Sequence, residues 1–201
     1  MNDFLSSFFQ GIYATSYWEW QAIICGILYL YFAIKGKVIC WIFGFINAAT
    51  YVYVCADAKL YLDAILQVFY VIMAIVGYLN WNKNDTTQIH TWNLKQHFFI
   101  IILTTICSLI LGFIFKKYTL QASPFLDALS TCFSLVTTYM VARKVLENWI
   151  YWIVIDSILA YLYYTRGLEM SSILMLIYTF MALKGFLEWK KNYHERLVQK
   201  V

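Results

Sequence analysis

One segment of this 201-residue sequence combines two tryptophans with a carboxylate at helical spacing. Trp149, Trp152 and Asp156 occupy positions i, i+3 and i+7, so an α-helix places all three on one face. Such a face is typical of a site for a flat aromatic cation, because ring faces attract positive charge by about 0.5–2 kcal/mol. Two other interpretations stay open: Trp149 could belong to an aromatic belt at a membrane interface, and Asp156 could form a buried ion pair.

A second candidate stripe lies in the apolar run that begins at residue 61. Gln67, Tyr70 and Gly77 share one helical face, and Tyr178 holds the corresponding position to Tyr70 in a later run. An amide deep in an apolar run has donors and an acceptor to satisfy, so we expect Gln67 to bind a ligand. For Gly77 we expect close helix packing instead, since small residues let helices approach.

Composition excludes several classes of protein. Hydrophobic residues make up 62% of the chain and charged residues 13%, against about 25% charged in a soluble domain. A soluble enzyme, a nucleic-acid binder and a disordered tail are therefore excluded. The sequence contains no phosphate-binding GxxxxGK[ST] loop, no HExxH motif and no Cys/His cluster, so we expect a non-enzyme without a metal or cofactor.

The apolar runs predict an all-α membrane protein, because backbone groups in lipid must be paired within each segment. A short apolar patch at 4–14 predicts an interfacial helix. Seven longer runs predict transmembrane helices: 20–34, 38–56, 61–81, 98–115, 124–141, 148–164 and 171–189. Ser123 and Pro124 predict a helix start.

Lysine and arginine are distributed unequally between the two predicted sides. With seven spans, four of the 15 basic residues fall on one side and eleven on the other. The positive-inside rule then predicts a cytoplasmic C-terminus and a periplasmic N-terminus.

The chain also repeats itself. Shifting it by 108 residues lays 17–83 over 125–191 without a gap, and 14 of the 67 positions are identical, including two pairs of Trp and one pair of Gly. We therefore expect an N-terminal segment at 1–16, three-helix repeats at 17–83 and 123–191, a loop and linker helix at 84–122, and a tail at 192–201. Each repeat has three spans, an odd number, so the single span between the repeats returns the chain to its starting side and the two repeats run parallel. Parallel repeats are a known transporter plan, with the substrate site at the repeat interface.

Asn47 falls one position from Asp156 in this overlay. A buried amide there could bind a substrate or could clasp two helices together.

Four motifs together resemble the PnuC-type nicotinamide riboside transporters: W-x-x-G-x-x-N at 41–47, K-L-Y-L-D-x-x-L-Q-x-x-Y at 59–70, G-x-x-x-W at 77–81 and N-W-x-x-W-x-x-x-D at 148–156. The resemblance implies two three-helix bundles joined by a linker helix (3+1+3), as in the related SWEET sugar transporters. It implies a homotrimer in the bacterial inner membrane that takes up nicotinamide riboside, an NAD precursor, by facilitated diffusion. A separate cytoplasmic kinase would then retain the solute. The SWEET gating prolines are missing, because Pro124 is the sole proline, so that hinge and the sugar substrate are not carried over.

The resemblance also implies which residues bind substrate, and Tyr178 joins them as the twin of Tyr70. A sugar or another nucleoside-like solute is the alternative cargo, and a membrane enzyme or structural subunit is the alternative class. The expected substrate-binding residues are Trp41, Asn47, Gln67, Tyr70, Asn148, Trp149, Trp152, Asp156 and Tyr178.

Overall fold

The structure, a computed structural model, describes residues 11–13, 15–57, 61–83, 88–119 and 123–199, with the side chains of 61 and 62 left out. Most of the 4–14 patch lies outside these residues. Where the patch is described, at 11–13, the backbone is helical.

Helices make up nearly all of the described chain, and each predicted run lies in one of them, except that the run 38–56 begins two residues before its helix. α7 continues well past residue 191, so most of the segment that we expected to be a tail is helical. The long helices are α1 (Tyr17–Ile34), α2 (Cys40–Asp57), α3 (Tyr61–Asn82), α4 (Leu94–Tyr118), α5 (Pro124–Ala142), α6 (Asn148–Thr165) and α7 (Glu169–Val198).

Five of the described helices, α2, α3, α4, α5 and α7, are long and apolar enough to cross a membrane. α1 and α6 fall outside this group, although we expected both to span. Both are rich in Tyr and Trp, whose polar ring atoms lower the mean hydropathy of a segment. These five helices alone are enough to identify the chain as a multi-pass membrane protein.

Local sequence features mark three helix starts, and two of them are capping boxes. Ser16 and Glu19 form a reciprocal capping box at α1, and Asn93 and Gln96 form another at α4. At α5, Ser123 is the cap residue and proline follows in the first turn, as expected, but the Ser123 side chain makes no capping hydrogen bond.

Six helices pack in a closed ring. α1 contacts α2 and α7, α3 contacts α2 and α5, and α6 contacts α5 and α7. Among the described residues, α4 packs only against α5. The ring pairs the first helix of each repeat with the third helix of the other, which is the pattern that a two-fold axis between the repeats produces.

One end of the ring holds most of the buried core. α1, α3 and α5 finish there, α2 and α6 begin there, and Trp41, Trp81, Trp149 and Trp189 are packed together within it. We call it the tryptophan end.

Candidate functional site

Two tryptophans tie the repeats together at the tryptophan end. The Trp189 indole N–H donates to the carbonyls of Ala33 and Ile34, at 3.1 Å each. The Trp81 indole N–H donates to the carbonyls of Val141 and Ala142, at 3.2 Å each. The two sets of residues are related by the 108-residue shift. Each indole satisfies carbonyls at the end of a helix, which have no partner within that helix.

The other two tryptophans fill the space behind this pair. Trp41 meets Trp81 edge to face with ring centroids 5.5 Å apart, and Trp149 meets Trp189 in the same way at 5.4 Å. Trp149 is 1% exposed, so it does not face lipid as a belt residue would. Both predicted site residues, Trp41 and Trp149, are therefore packed in the core. Each keeps a buried indole N–H with no hydrogen-bond partner in the described part of the chain.

Glycines make this packing possible. A methyl group at Gly77 would overlap the Trp41 indole, and one at Gly185 would lie 2.6 Å from Trp149. The expectation that Gly77 serves helix packing is confirmed, and the same holds for its repeat counterpart.

Asn148 begins α6 at the same end and is fully buried. Its amide N–H donates to the Val145 carbonyl at 2.6 Å, which closes the turn between α5 and α6. The Asn148 side-chain oxygen is buried without a hydrogen-bond partner among the described residues. The Asn148 amide N–H thus has a structural role, whereas the Asn148 side-chain oxygen is an unpaired acceptor among the described residues.

Asn47 lies deeper in the ring. Its amide N–H donates to the Ala22 carbonyl at 2.7 Å, which joins α2 to α1 as the clasp interpretation predicts. Gly26 separates this amide from Tyr178: a methyl group there would lie 2.5 Å from the Tyr178 hydroxyl and 3.4 Å from the Asn47 nitrogen. Asn47 and Tyr178, predicted from different repeats, are therefore neighbours across α1.

Asp156 lies between the repeats. It is 6% exposed and lies near Tyr70 on α3 and Tyr178 on α7, which are repeat counterparts. Tyr70 also lies beside Ser134 of α5. The ion pairs found among the described residues do not include Asp156, so the ion-pair interpretation has no partner there. A buried carboxylate without a protein cation is costly, which makes it a candidate for binding a cationic solute.

Trp152 and Gln67 are both half-buried. Trp152 packs against the core of the tryptophan end, one helical turn beyond Trp149 towards Asp156. Gln67 precedes Tyr70 by one turn of α3. The structure therefore brings Asn47, Tyr70, Asp156 and Tyr178 together, and places Trp41, Asn148 and Trp149 in the packed end beside them.

An ion pair at the opposite end was not expected. The Arg166 guanidinium donates to both carboxylate oxygens of Asp127, at 2.8 and 2.9 Å, and joins the α6–α7 turn to the start of α5. Asp127 lies in the first turn of α5, where the helix dipole favours an acid. The charge at both positions is visible in the sequence, but 39 residues separate them.

Comparisons with known proteins agree with this architecture. The chain is 24% identical to the nicotinamide riboside transporter PnuC of Escherichia coli K12, over 92% of this chain and 90% of that protein. It is 26% identical to PnuC of Neisseria mucosa, over 85% and 70%. It is also 24% identical to the riboflavin/roseoflavin transporter RibM of Streptomyces davaonensis, over 58% of each.

The fold is also that of a solved structure. The crystal structure of the vitamin B3 transporter PnuC superimposes with a TM-score of 0.74 at 21% identity, and covers 96% of this chain and 89% of that one. A sequence profile of the nicotinamide mononucleotide transporter family matches residues 16–191, and this protein belongs to that family of membrane transporters.

Proposed function

We propose that this protein carries nicotinamide riboside across the membrane by facilitated diffusion, with the solute bound between the repeats. The observation that carries the proposal is Asp156, a buried carboxylate near Tyr70 and Tyr178 that has no protein cation paired with it among the described residues. The relatives named above as nicotinamide riboside transporters support the choice of solute.

The chemistry of the site suits this solute. The nicotinamide ring of the riboside is flat and carries a fixed positive charge, which a carboxylate and tyrosine or tryptophan faces stabilise. The ribose offers hydroxyls to the amides of Asn47 and Gln67. Binding of the cation offsets the cost of burying Asp156.

The site favours the riboside over its phosphorylated form, although the family description names the mononucleotide. A phosphate adds about −1.5 to −2 charge at neutral pH and is normally held by Arg or Lys. Inside the described helices, Lys184, Lys190 and Lys191 are exposed, and the other Lys and Arg residues lie near helix ends. A phosphate beside Asp156 would thus meet repulsion without compensation.

For the arrangement in the membrane, we propose two parallel three-helix repeats at 17–83 and 123–191, with α4 of the 84–122 segment as the linker helix and α1 and α6 as spans. The ring of helix contacts and the exchanged tryptophan hydrogen bonds support this 3+1+3 plan. The excess of Lys and Arg places the tryptophan end and the C-terminus in the cytoplasm of a bacterial cell, and the N-terminus in the periplasm.

We further propose a homotrimer whose subunits contact each other through the apolar face of α4, because α4 packs only on α5 within the described chain and exposes Phe98, Ile102 and Phe113.

A passive carrier only equilibrates its solute across the membrane. Retention of the solute therefore requires a separate cytoplasmic kinase that phosphorylates the riboside.

Calorimetry on the purified protein tests the proposal. We expect nicotinamide riboside to bind and Asp156→Asn to weaken that binding more than tenfold, because the amide keeps the shape and removes the charge. Asp63→Asn, a matched change at an exposed position on α3, leaves binding unchanged. Uptake into vesicles continues after the proton and sodium gradients are collapsed. Binding of glucose but not of the riboside would favour a sugar carrier, and equal binding by Asp156→Asn would remove the cation site.

A further inference from the structure

The two repeats differ most at the C-terminal end of their third helices. α3 ends at Asn82, one residue after Trp81, whereas α7 continues to Val198, well past the equivalent Trp189. This extension of more than two turns has no counterpart among the described residues that follow α3. Its inner residues face the tryptophan end.

The extension closes one side of a cavity of about 380 Å³ over Trp189. Its walls come from both repeats: Lys35 from the end of α1, Lys144 from the α5–α6 turn, and Asn192 and Arg196 from the extension. The positive-inside rule accounts for basic residues at this end of the protein, but not for their convergence on one concavity.

The charges lining the cavity are mainly positive. Lys35, Lys144 and Arg196 face it with a single carboxylate, Glu195. Glu195 is in turn 3.9 Å from Lys191, so part of its charge is balanced from outside the cavity. Lys35 donates one hydrogen bond to the Tyr31 hydroxyl, and an ammonium group has three N–H donors.

This combination suits a phosphate group. Arg196 supplies a planar set of donors, the lysines supply point charges, and Asn192 and the Trp189 ring offer an amide and an aromatic surface for the rest of a ligand. The volume is in the range of small-molecule sites. We infer that this cavity binds a phosphate monoester and that the bound monoester holds the tryptophan end closed.

The ligand would keep the tryptophan end closed because the cavity walls belong to different helices. Opening of the tryptophan end must separate α1 from α7, because Trp189 joins them. Lys35 would then move away from Arg196, so the ligand binds the closed form better and shifts the population towards it. The effect on transport rests on the proposed function, whereas the binding does not. The reaction that supplies such a ligand is a phosphotransfer to a hydroxyl, and a phosphorylated form of the transported solute would slow further uptake.

Binding is tested with the full chain in phosphatidylcholine nanodiscs, with adenosine 5′-monophosphate as the probe and adenosine as its control. We expect the monophosphate to bind and adenosine to bind at least tenfold more weakly. Lys35→Gln and Arg196→Gln each weaken monophosphate binding about tenfold or more. Lys116→Gln, an exposed lysine at the end of α4, leaves binding unchanged. Equal binding of the two probes, or equal binding by Lys35→Gln, Arg196→Gln and the wild type, would overturn the site.

Nanodiscs that contain phosphatidic acid distinguish a soluble ligand from a lipid. If phosphatidic acid reduces monophosphate binding in the wild type, a lipid headgroup of the same chemistry fills the site. If it does not, the site takes soluble monoesters. Either result supports a phosphate monoester site.

Transport tests the regulatory part separately. With the monophosphate present only on the side of the tryptophan end, wild-type uptake of nicotinamide riboside slows severalfold, and Arg196→Gln keeps its uptake in both conditions. Uptake that is unaffected in the wild type would contradict regulation. Absence of any riboside uptake would refute the proposed function but leave the calorimetric result standing.

Discussion

Trp81 and Trp189 lie in contact, with ring centroids 5.9 Å apart, and each donates its indole N–H to the last carbonyls of a helix in the opposite repeat. The two bonds form a symmetric pair of cross-links. Any motion that separates the repeats at this end has to break one or both of them. In a carrier that alternates its access, these indole bonds accordingly have to break when the tryptophan end opens.

Trp189→Phe keeps the aromatic packing and removes the donor. A hydrogen bond of this kind contributes about 0.5–1.5 kcal/mol, so the tryptophan end should open several times more often. Cys40, buried at this end, reports the opening through its rate of maleimide labelling in a variant whose other cysteines are serine. Trp81→Phe should act similarly. Trp20→Phe, at the other end of α1, should leave the rate unchanged, and an equal rate in all three variants would argue against the cross-links.

Gly77→Ala and Gly185→Ala each place a methyl group against an indole that is already closely packed. Overpacking of this kind costs about 1–3 kcal/mol, so the thermal midpoint in detergent should fall for both. Ser157→Ala, an exposed change in α6, serves as the control. Midpoints equal to wild type in both glycine variants would mean that the helices can move apart freely at this end.

The Asp127–Arg166 pair is partly buried, with the Arg166 and Asp127 side chains 26% and 15% exposed. Arg166→Gln should therefore destabilise the protein by about 1–3 kcal/mol, between the values for surface and buried pairs. The loss should shrink in high salt because screening weakens the wild-type pair. Lys191→Gln breaks the exposed pair with Glu195 and should change the midpoint far less. A larger effect for Lys191→Gln would contradict this ranking.

Gly36 and Lys144 occupy equivalent turns and both have a left-handed backbone, with φ of 65° and 56°. No atom lies within 4 Å of a methyl group built at Gly36, so Gly36→Ala tests backbone strain alone. It should cost about 1 kcal/mol, and Gly36→Asn should cost less because asparagine tolerates this conformation. Thermal unfolding of the two variants measures the difference, and the reverse order would show that the turn changes shape.

Trp152→Ala and Gln67→Ala should each weaken binding of nicotinamide riboside more than tenfold, because one removes a ring face and the other an amide near Tyr70. Trp18→Ala and Gln88→Ala are matched changes at exposed positions. Calorimetry compares the four variants. Near-native binding by both Trp152→Ala and Gln67→Ala would place the substrate elsewhere.

Part of the candidate site could be predicted from residue spacing alone. The 108-residue repeat pairs Tyr70 with Tyr178 and Trp81 with Trp189, and both pairs are found close to the interface between the repeats. The capping boxes at Ser16 and Asn93 are local motifs of the sequence that were not among our predictions. The burial of Trp149 could not be predicted, because the same residue types at the same spacing are compatible with a ligand site, an aromatic belt at the membrane interface and a packed core.

The sequence by itself determined the helices, their approximate bounds and the duplication, because each depends on residues close in the chain or on a comparison of two stretches at a fixed offset. Only the tertiary structure decided that Trp189 bonds Ala33, that Arg166 pairs with Asp127, and that the α7 extension covers a basic cavity. These contacts join residues 39 to 156 positions apart. Such pairings depend on how the helices pack, since many partners of similar chemistry are equally compatible with the local pattern.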